Sequence, residues 1–363
     1  MACAAKSPEI KRPKRESYEK SDLTMKSLVC LSPGRLVVED RPAPLPPAPG
    51  WVTVDVKAVG ICGTDYHIYE GKHPFLNYPR VMGHELSGVV SAAGSGVDLA
   101  IGTRVIVNPY ISCGTCHACK RSKPNCCMTI EVLGVHRDGG MCEAINIPAT
   151  NLYPAGNLSF RDAAMVEFLA IGAHAVRRAK AERGDRALVV GIGPIGLGAA
   201  VFARLAGLDV TLLDASSERL AFARDELGFA VTAPLSPHSA SELLGLTGGN
   251  GFDIVFDATG HAAAIEAGFN LVAHGGSYVL ISVVKDTIRF ADPEFHKREM
   301  TLIGSRNATR EDFEHVIKSI AAGDVPLYRL ATHATTLDAL PQAMALWAHD
   351  KTGLIKALIE VQA

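Results

Sequence analysis

"ALVVGIGPIG", residues 187–196, is the most informative short segment of this 363-residue chain. An apolar run, typical of a buried strand, leads into glycines at positions 191, 193 and 196, and Pro194 suits the first turn of a helix. In such a turn the first glycine permits a sharp bend, the second lets the backbone approach a pyrophosphate, and the third lets helix and strand pack closely. The stretch therefore predicts a dinucleotide-binding βαβ unit, with the phosphates at the helix N-terminus.

The residue that ends the following strand bears on which dinucleotide is bound. "VTLLD" ends in Asp214, whose carboxylate would accept hydrogen bonds from the adenosine ribose and repel a 2′-phosphate, so NAD is favoured over NADP. Arg219 lies nearby and could soften that preference, although Ala215 and Ser216 place no positive charge directly beside the carboxylate. The alternative is a glycine-rich turn that binds no ligand. The predicted cofactor-binding residues are Gly191, Gly193, Pro194, Ile195, Gly196, Asp214, Arg219 and Thr259.

Two kinds of sequence pattern divide the chain. From residue 25 to about residue 147 it has the composition of short strands and turns, whereas from Ala163 onwards strands alternate with helices, beginning with the helical "DAAMVEFLAIGAHAVRRAK". The strand-like segments of the second part are "ALVVG", "VTLLD", "DIVFDATG", "YVLIS" and "TLIGS". The predicted fold class is therefore α/β, with a β-rich domain followed by a Rossmann domain built on a doubly wound parallel sheet. We expect the strand-like "GLIKALIEV" near the C-terminus to return to the first domain.

The predicted domain boundaries follow from that division. Residues 1–24 are expected to be a disordered leader, because they are polar and basic and lack the apolar region of a secretory signal. The run "KRPKR" within this leader could instead be an address or a nucleic-acid-binding tail. The β-rich domain is predicted to comprise residues 25–155 and 309–363, with a metal-binding lobe at about 108–130, and the Rossmann domain to comprise residues 156–308.

Charge and hydropathy argue against two classes of partner. The formal net charge is −2, whereas proteins that bind nucleic acid or anionic membranes normally carry a concentrated basic face. No apolar run approaches the roughly eighteen residues of a membrane-spanning helix. We expect a cytoplasmic protein that acts on a small molecule and binds neither nucleic acid nor membrane.

Five of the nine cysteines lie between positions 113 and 127, and this clustering points to metal rather than to disulfides. Cys113, Cys116 and Cys119 have C-x2-C-x2-C spacing, and either Cys126 or Cys127 could be the fourth ligand. Four thiolates close a tetrahedral zinc site with no open position, which is the pattern of a structural site. A redox-active dithiol would need a thioredoxin-like context that this loop lacks.

Three further segments carry residues that suit a second metal ion. "GICGTDYHIYEG" contains Cys62, "VMGHELSG" contains His84 and Glu85, and "AAMVEFLAIG" contains Glu167. Ligation by one sulfur, one nitrogen and one oxygen atom leaves a fourth position open, which is typical of catalytic zinc. Two glutamates that ligated together would make the centre net negative. One of them is therefore expected to ligate, and the other to support the ligands or exchange with it.

Together these motifs resemble those of the zinc-dependent medium-chain dehydrogenases, the alcohol and polyol dehydrogenase superfamily, over nearly all of the chain from residue 25. "GSRNATREDF" and "KPNCC" are similar to the starvation-sensing-type and sugar-acid branches, such as the L-gulonate dehydrogenases. The resemblance implies a GroES-like β-rich domain, Cys127 as the fourth ligand of the lobe, and a homodimer or homotetramer. It also implies that Glu167 is the third ligand of the catalytic zinc, as in the sorbitol and sugar-acid branches, with Glu85 as its partner. Phe168 departs from the family, in which many members have proline there, and is expected to alter the pocket or the bend between domains.

The resemblance also implies roles for two residues near the metal. The Thr64 hydroxyl would reach an alcohol on the zinc ion, and His67 would pass the proton towards solvent. The implied reaction is the reversible oxidation of a secondary hydroxyl of a polyol or sugar acid to a ketone, through a zinc-bound alkoxide and hydride transfer to NAD. Arg306 is a candidate for binding the substrate. One catalytic and one structural zinc ion per chain are expected.

Other functions fit parts of the pattern. A non-catalytic NAD-binding sensor of redox or nutrient state would be expected to lack one or more metal ligands, and none is missing. A zinc-independent quinone-type reductase would lack the ligands and the cysteine lobe. An NADP-preferring alcohol or aldehyde reductase stays open as an alternative.

Overall fold

The computed structural model describes residues 23–73 and 76–361. The predicted leader, residues 1–24, lies outside the described residues except for Leu23 and Thr24, and Thr24 begins the first strand. Within the described ranges, no helix is long and apolar enough to cross a lipid bilayer.

The described residues form eighteen strands and twelve α-helices. The strands are β1 Thr24–Ser32, β2 Arg35–Pro42, β3 Trp51–Ile61, β4 Arg80–Val81, β5 Glu85–Ala93, β6 Arg104–Val107, β7 Tyr110–Ile111, β8 Glu131–Val132, β9 Ala144–Pro148, β10 Leu152–Pro154, β11 Arg186–Val190, β12 Asp209–Asp214, β13 Val231–Pro234, β14 Phe252–Asp257, β15 Val272–Leu280, β16 Thr301–Gly304, β17 Ala331–Thr336 and β18 Lys356–Glu360. The helices are α1 Gly63–Tyr69, α2 His117–Lys120, α3 Phe160–Ala164, α4 Val166–Ala179, α5 Pro194–Leu205, α6 Ser217–Asp225, α7 Ser239–Leu246, α8 Ala262–Gly268, α9 Asp292–Lys297, α10 Arg310–Ala321, α11 Leu327–Leu330 and α12 Leu340–His349.

The second half of the chain contains the parallel sheet that its alternating pattern predicts. Six strands lie in the order β13-β12-β11-β14-β15-β16, and every neighbouring pair is parallel. The central strand β11 carries four consecutive buried residues after Arg186, as expected for a parallel sheet covered on both faces. The strand order reverses between β11 and β14, and Rossmann sheets bind their ligands at the carboxyl ends of the strands near that point.

Five of these six strands coincide with the strand-like segments predicted from the sequence, and β13 does not. The strand lies at the edge of the sheet, and its four residues, Val231–Pro234, are exposed or half-buried. An edge strand needs no continuous apolar run, so the hydrophobic pattern that identifies the central strands is absent here.

The first half of the chain forms a second large sheet together with the C-terminal strand. Its order is β10-β6-β5-β3-β18-β17, and β9 also pairs with β3. On one side of β3, the β18 residue Ala357 lies opposite Ile61, and on the other side the β5 residue Glu85 lies opposite Gly60. The last residues of β3 therefore lie between the first residues of β5 and of β18. The domain boundaries proposed from the sequence stay predictions.

The segment predicted as one helix from residue 162 to residue 180 is two helices. α3 ends at Ala164 and α4 begins at Val166, and Met165 separates the two helices. Most residues of α4 are buried, because the helix contacts β5 as well as α5 and α10. The break puts Glu167 and Phe168 in the first turn of α4.

Candidate active site and metal centres

The loop between β11 and α5 has the geometry that its glycines predict. Gly191 has a φ of +81°, and a Cβ atom on Gly196 would lie 1.9 Å from the carbonyl oxygen of Gly191. Any larger residue at position 196 would therefore push the helix away from the strand. A Cβ atom on Gly193 would have Nη1 of Arg219 as its nearest neighbour, at 3.8 Å. The middle of the loop therefore faces open space.

The remaining predicted cofactor residues surround this loop. Asp214 accepts hydrogen bonds from the backbone N–H groups of Ile192 and Ser216, both at 2.7 Å. Thr259 packs against Gly191, and the side chain of Ile195 packs against the hydrophobic core. These contacts hold the Asp214 carboxylate at the carboxyl ends of the central strands, beside the glycine loop.

Asp214 also borders a cleft of about 470 Å³. Ser216 and Arg219 line it from the first turns of α6, and Lys351 and Gly353 line it from the segment before β18. The Gly353 N–H donates to Glu218 on α6 at 2.6 Å, which joins the two halves of the chain at this cleft.

The four predicted ligands of the cysteine lobe lie together. The sulfur atoms of Cys113, Cys116, Cys119 and Cys127 are all within 4.8 Å of one another, and Cys126 is exposed and is not in this group. The backbone N–H of Cys116 donates to Sγ of Cys113 at 3.3 Å, and the N–H of Cys113 donates to Sγ of Cys127 at 3.3 Å. Such bonds, first from Thr115 and then from Cys116, lower the pKa of the Cys113 thiol to about 5. Hydrogen bonds also lower the pKa of the Cys116 thiol, whereas burial raises that of Cys119 to about 11. Four sulfur atoms grouped in this way fit a closed zinc site.

Ligand atoms of Cys62, His84 and Glu85 form a second close group, again within 4.8 Å of one another. Cys62 follows β3 and is the N-cap residue of α1, His84 precedes β5, and Glu85 is the first residue of β5. The pairing of β3 with β5 thus brings together residues that are more than twenty positions apart. One sulfur, one nitrogen and one oxygen atom fit a zinc ion with an open position.

Asp65, which is not among the predicted site residues, supports this group. Its buried carboxylate accepts hydrogen bonds from the N–H of Cys62 at 2.9 Å and from the N–H of Gly83 at 3.3 Å. Nδ1 of His84 lies 4.0 Å from the same carboxylate. Carboxylates next to metal-binding histidines hold the ring in orientation. The signal was available, because an acidic residue three positions after an N-cap residue is typical of a capping box.

Lys356 is a second residue that the sequence analysis missed. Its side chain is fully buried and forms an ion pair with the equally buried Glu85, and its Nζ donates to the carbonyl of Ile61 at 3.0 Å. The ammonium group also lies 4.6 Å from the centre of the Phe168 ring. No local pattern could have revealed this pair, because its members are 271 positions apart in the chain.

Glu167, the expected third ligand, lies outside the close group of Cys62, His84 and Glu85 but near it. The hydroxyl of Tyr110 donates to Oε1 of Glu167, and the buried Oε2 has no partner among the described residues. Burial, together with the charge of Glu85, raises the pKa of Glu167 to about 7, although His84 opposes that shift. Because this buried oxygen atom has no partner, it is available to replace one of the other ligands of a metal ion.

The predicted relay residues lie on α1. Oγ1 of Thr64 is 3.8 Å from Sγ of Cys62. His67 is exposed in the last turn, and partial desolvation together with the charges of lysines 351, 72 and 285 lowers its pKa despite Glu70. Arg306, the predicted substrate residue, is exposed just beyond β16, and its carbonyl accepts a hydrogen bond from Asn125 at 3.0 Å. Arg306 is not among the residues of the close metal-binding group.

Comparison with known proteins gives matches over most of the chain. The family model "Alcohol dehydrogenase GroES-like domain" matches residues 48–157, and "Zinc-binding dehydrogenase" matches residues 194–322. The chain is 40% identical to L-galactonate-5-dehydrogenase of Escherichia coli K12 over 93% of this chain and 99% of that protein. It is 35% identical to D-altritol 5-dehydrogenase of Agrobacterium fabrum over 86% of this chain and 93% of that protein. Among solved structures, the chain is similar to a short chain alcohol dehydrogenase (rspB) of E. coli CFT073 complexed with NADH, with 32% sequence identity and a TM-score of 0.87. The match covers 93% of this chain and 99% of the other.

Proposed function

Because the chain belongs to the zinc-binding dehydrogenases that carry an alcohol dehydrogenase GroES-like domain, we propose that it oxidises a secondary hydroxyl of a polyol or sugar acid to a ketone, reversibly and with NAD. The observation that carries this proposal is the close group of Cys62, His84 and Glu85 in the same chain as a dinucleotide loop. Relatives that match over most of their length include enzymes named for sugar-acid and polyol oxidation.

The metal-binding residues have distinct tasks in this proposal. Cys62, His84 and Glu85 would hold the ion, because these three lie in the close group, and Glu167 would supply an exchanging oxygen atom. A zinc ion bound there acts as a Lewis acid towards the substrate hydroxyl. Lys356 offsets the charge of Glu85, so two carboxylates can lie near one thiolate without making the centre net negative.

The proton leaves through side chains of α1. Thr64 is close enough to Cys62 for its hydroxyl to meet a substrate oxygen at the metal and to pass the proton on. His67, whose pKa is lowered, is neutral at neutral pH and can accept a proton at the exposed end of the helix.

The cofactor preference rests on Asp214. Two backbone N–H groups hold its carboxylate at the cleft, where a 2′-phosphate would meet a fixed negative charge. Arg219 and Lys351 line the same cleft and would reduce that penalty, so the preference for NAD over NADP needs its own measurement. A homodimer or homotetramer stays a prediction.

The first experiment combines metal analysis with an NAD-reduction screen of polyols and sugar acids. We expect about two zinc ions per chain, matching the two groups of ligands, and turnover that is at least about tenfold less efficient with NADP. Cys62→Ser should lose one zinc ion and all turnover. The matched control Cys126→Ser removes a cysteine outside both groups and should keep both zinc ions.

Two results would contradict parts of this proposal. A single zinc ion with no turnover on any substrate would favour a non-catalytic NAD-binding sensor. Equal kcat/KM with NADP would remove the role given to Asp214 while leaving the oxidation itself intact.

A further inference from the structure

The side chain of Tyr110 meets Glu167, and the proposed function gives Tyr110 no task. Its hydroxyl donates to Oε1 of Glu167, and both residues are buried. A phenol has an ordinary pKa of about 10, so it keeps its proton at neutral pH and can donate to a carboxylate. The other carboxylate oxygen, Oε2, is buried and has no partner among the described residues. One oxygen atom of Glu167 is therefore occupied, and the other is free.

The free oxygen atom belongs to a residue that lies beside Glu85 of the close group. The Lys356 ammonium, which pairs with Glu85, also lies 4.6 Å from the centre of the ring of Phe168, the next residue after Glu167. The helix α4, which carries Glu167 in its first turn, contacts β5, which begins at Glu85. The two glutamates therefore approach the same buried region from two different elements.

The backbone of Tyr110 is fixed on both sides. Its N–H donates to Oδ1 of Asn108 at 3.0 Å, and its carbonyl accepts a hydrogen bond from Nδ2 of Asn151 at 3.1 Å. The same Nδ2 donates to the carbonyl of Asn108 at 2.9 Å, and Tyr110 pairs with Val132 between β7 and β8. None of these contacts uses a sulfur atom of the cysteine lobe, although Cys113 lies only three positions further on. The place of the hydroxyl therefore depends on the two asparagines and not on a ligand of the lobe.

A hydrogen bond to one oxygen atom of a carboxylate determines which way the other oxygen atom faces. The terminal torsion of a glutamate side chain has a broad range, so burial alone does not fix the carboxylate. Hydrogen bonds to an ionised acceptor are about twice as strong as neutral ones, and groups that orient metal ligands in this way raise metal affinity. The Tyr110 hydroxyl is thus suited to orienting Glu167.

We propose that Tyr110 is a positioning residue: its hydroxyl holds Oε1 of Glu167, so that Oε2 alone is presented to a zinc ion at the close group. The inference rests on the proposed function, because it needs a metal ion at that group. It deepens that function by making Glu167 a ligand through one oxygen atom and by giving a task to a residue of the segment that leads into the lobe.

The test follows zinc release, which requires no turnover. The zinc-loaded enzyme is mixed with a chelator and a zinc-sensitive dye, and Cys62→Ser, which should keep only the lobe ion, identifies the release from the lobe. We expect Tyr110→Phe to release the zinc ion of the close group about tenfold faster than the unmodified protein, because the carboxylate is no longer oriented. Glu167→Ala should accelerate this release at least as much.

The double variant Tyr110→Phe with Glu167→Ala separates positioning from a general loss of structure. If Tyr110 acts through Glu167, the double variant should release zinc at the rate of Glu167→Ala alone, because residues that share one task are not additive. Tyr278→Phe is the matched control, since it removes another buried hydroxyl, one that donates to the backbone carbonyl of Ile265 at 3.0 Å. It should leave the rate of zinc release unchanged.

Two kinds of result would overturn the inference while the proposed oxidation stands. One is zinc release from Tyr110→Phe that is no faster than from Tyr278→Phe. The other is a double variant in which the two effects multiply, because Tyr110 would then act independently of Glu167. An unmodified protein that holds zinc only in the lobe would instead overturn the proposed function, and this inference with it.

Discussion

At the scale of single residues, the proposed catalytic metal group includes a glutamate that is paired with a buried cation. Lys356 and Glu85 are both inaccessible to solvent, and each would be costly to bury alone. Phe168, the residue that departs from the family pattern, presents its ring to the Lys356 ammonium. Its observed contact is therefore with the charge pair behind the metal group, and we infer that it helps to hold Glu85 in place.

We predict that Phe168→Leu weakens zinc binding at the catalytic group. A desolvated cation–π contact is worth about 2 kcal/mol, and residues that hold metal ligands in place change metal affinity by about 10- to 100-fold. A chelator should remove the zinc ion of the catalytic group about tenfold faster from this variant than from the unmodified protein. The measurement is the time course of zinc release, followed with a zinc-sensitive dye.

Phe202→Leu is the control for lost volume, because Phe202 is equally buried but packs edge-on against His315. Both variants should lose similar stability, and only Phe168→Leu should release zinc faster. Equal zinc release from the two variants would show that Phe168 only fills space.

At the scale of elements, a buried polar network fastens α10 to α4. Asp312 accepts hydrogen bonds from His174 at 2.8 Å and from Arg177 at 2.7 Å, and it also caps its own helix at Thr309. Burial raises the pKa of Asp312, but these hydrogen bonds outweigh burial and lower that pKa well below its usual range. A carboxylate with a lowered pKa stabilises the fold when it is ionised.

We predict that Asp312→Asn lowers the free energy of unfolding by about 2 kcal/mol at pH 7, because charge-assisted hydrogen bonds become weaker ones. The contribution of Asp312 is complete above its unfolded pKa of about 3.9 and is lost as pH falls towards the folded value. The difference between the variant and the unmodified protein should therefore shrink below about pH 4. Urea unfolding of both proteins at pH 7, 5 and 3.5 measures this difference in the free energy of unfolding.

Asp324→Asn removes an exposed carboxylate beyond the other end of α10 and should change stability little at any of these pH values. A difference for Asp312→Asn that stays constant down to pH 3.5 would mean that the network contributes through packing and not through charge.

The elements also show where hydrophobic patterning succeeds and where it fails. Central strands such as β11 are predicted correctly because burial on both faces demands an apolar run. The edge strand β13 is missed because its residues are exposed or half-buried and form no apolar run. The break between α3 and α4 at Met165 is also missed, because residues 160–168 around it include no glycine or proline and no other sequence signal of a helix end.

At the scale of the whole molecule, the cysteine lobe is joined to the rest of the fold by polar contacts. Nδ2 of Asn125, two positions before Cys127, donates to the carbonyl of Arg306 and lies 3.3 Å from Nε2 of His174 on α4. His174 in turn contacts Asp312, so the lobe is linked to the network between α4 and α10. We infer that the lobe stabilises the contact between the two halves of the chain.

We predict that Cys119→Ser removes one zinc ion, from about two to about one per chain, and lowers the thermal unfolding midpoint, because a four-thiolate site contributes directly to folding stability. The remaining zinc ion should still support turnover, since the catalytic ligands lie in a separate group. Metal analysis, thermal unfolding and NAD reduction on the same sample make the measurement. A variant that keeps both zinc ions would contradict the assignment of Cys119, and Cys126→Ser again serves as control.

Features whose residues are neighbours in the chain could be predicted from the sequence. The glycine loop, the cysteine lobe and the order Cys62, Thr64, His67 each lie within a short segment, so spacing alone restricts their geometry. Residue type then indicates the chemistry: glycines permit close backbone approach, and clustered thiolates favour zinc. The parallel sheet could likewise be predicted, because alternating strands and helices admit few arrangements.

Which distant side chains meet depends on the folded structure. The registers of β5 and β18 on β3 bring Glu85 together with Lys356, and the packing of α4 brings Glu167 to Tyr110. The same packing distinguishes Glu85, which lies in the close group, from Glu167, which does not. These contacts join residues tens to hundreds of positions apart. A local pattern carries no information about them, because strand register and helix packing are set by the whole core.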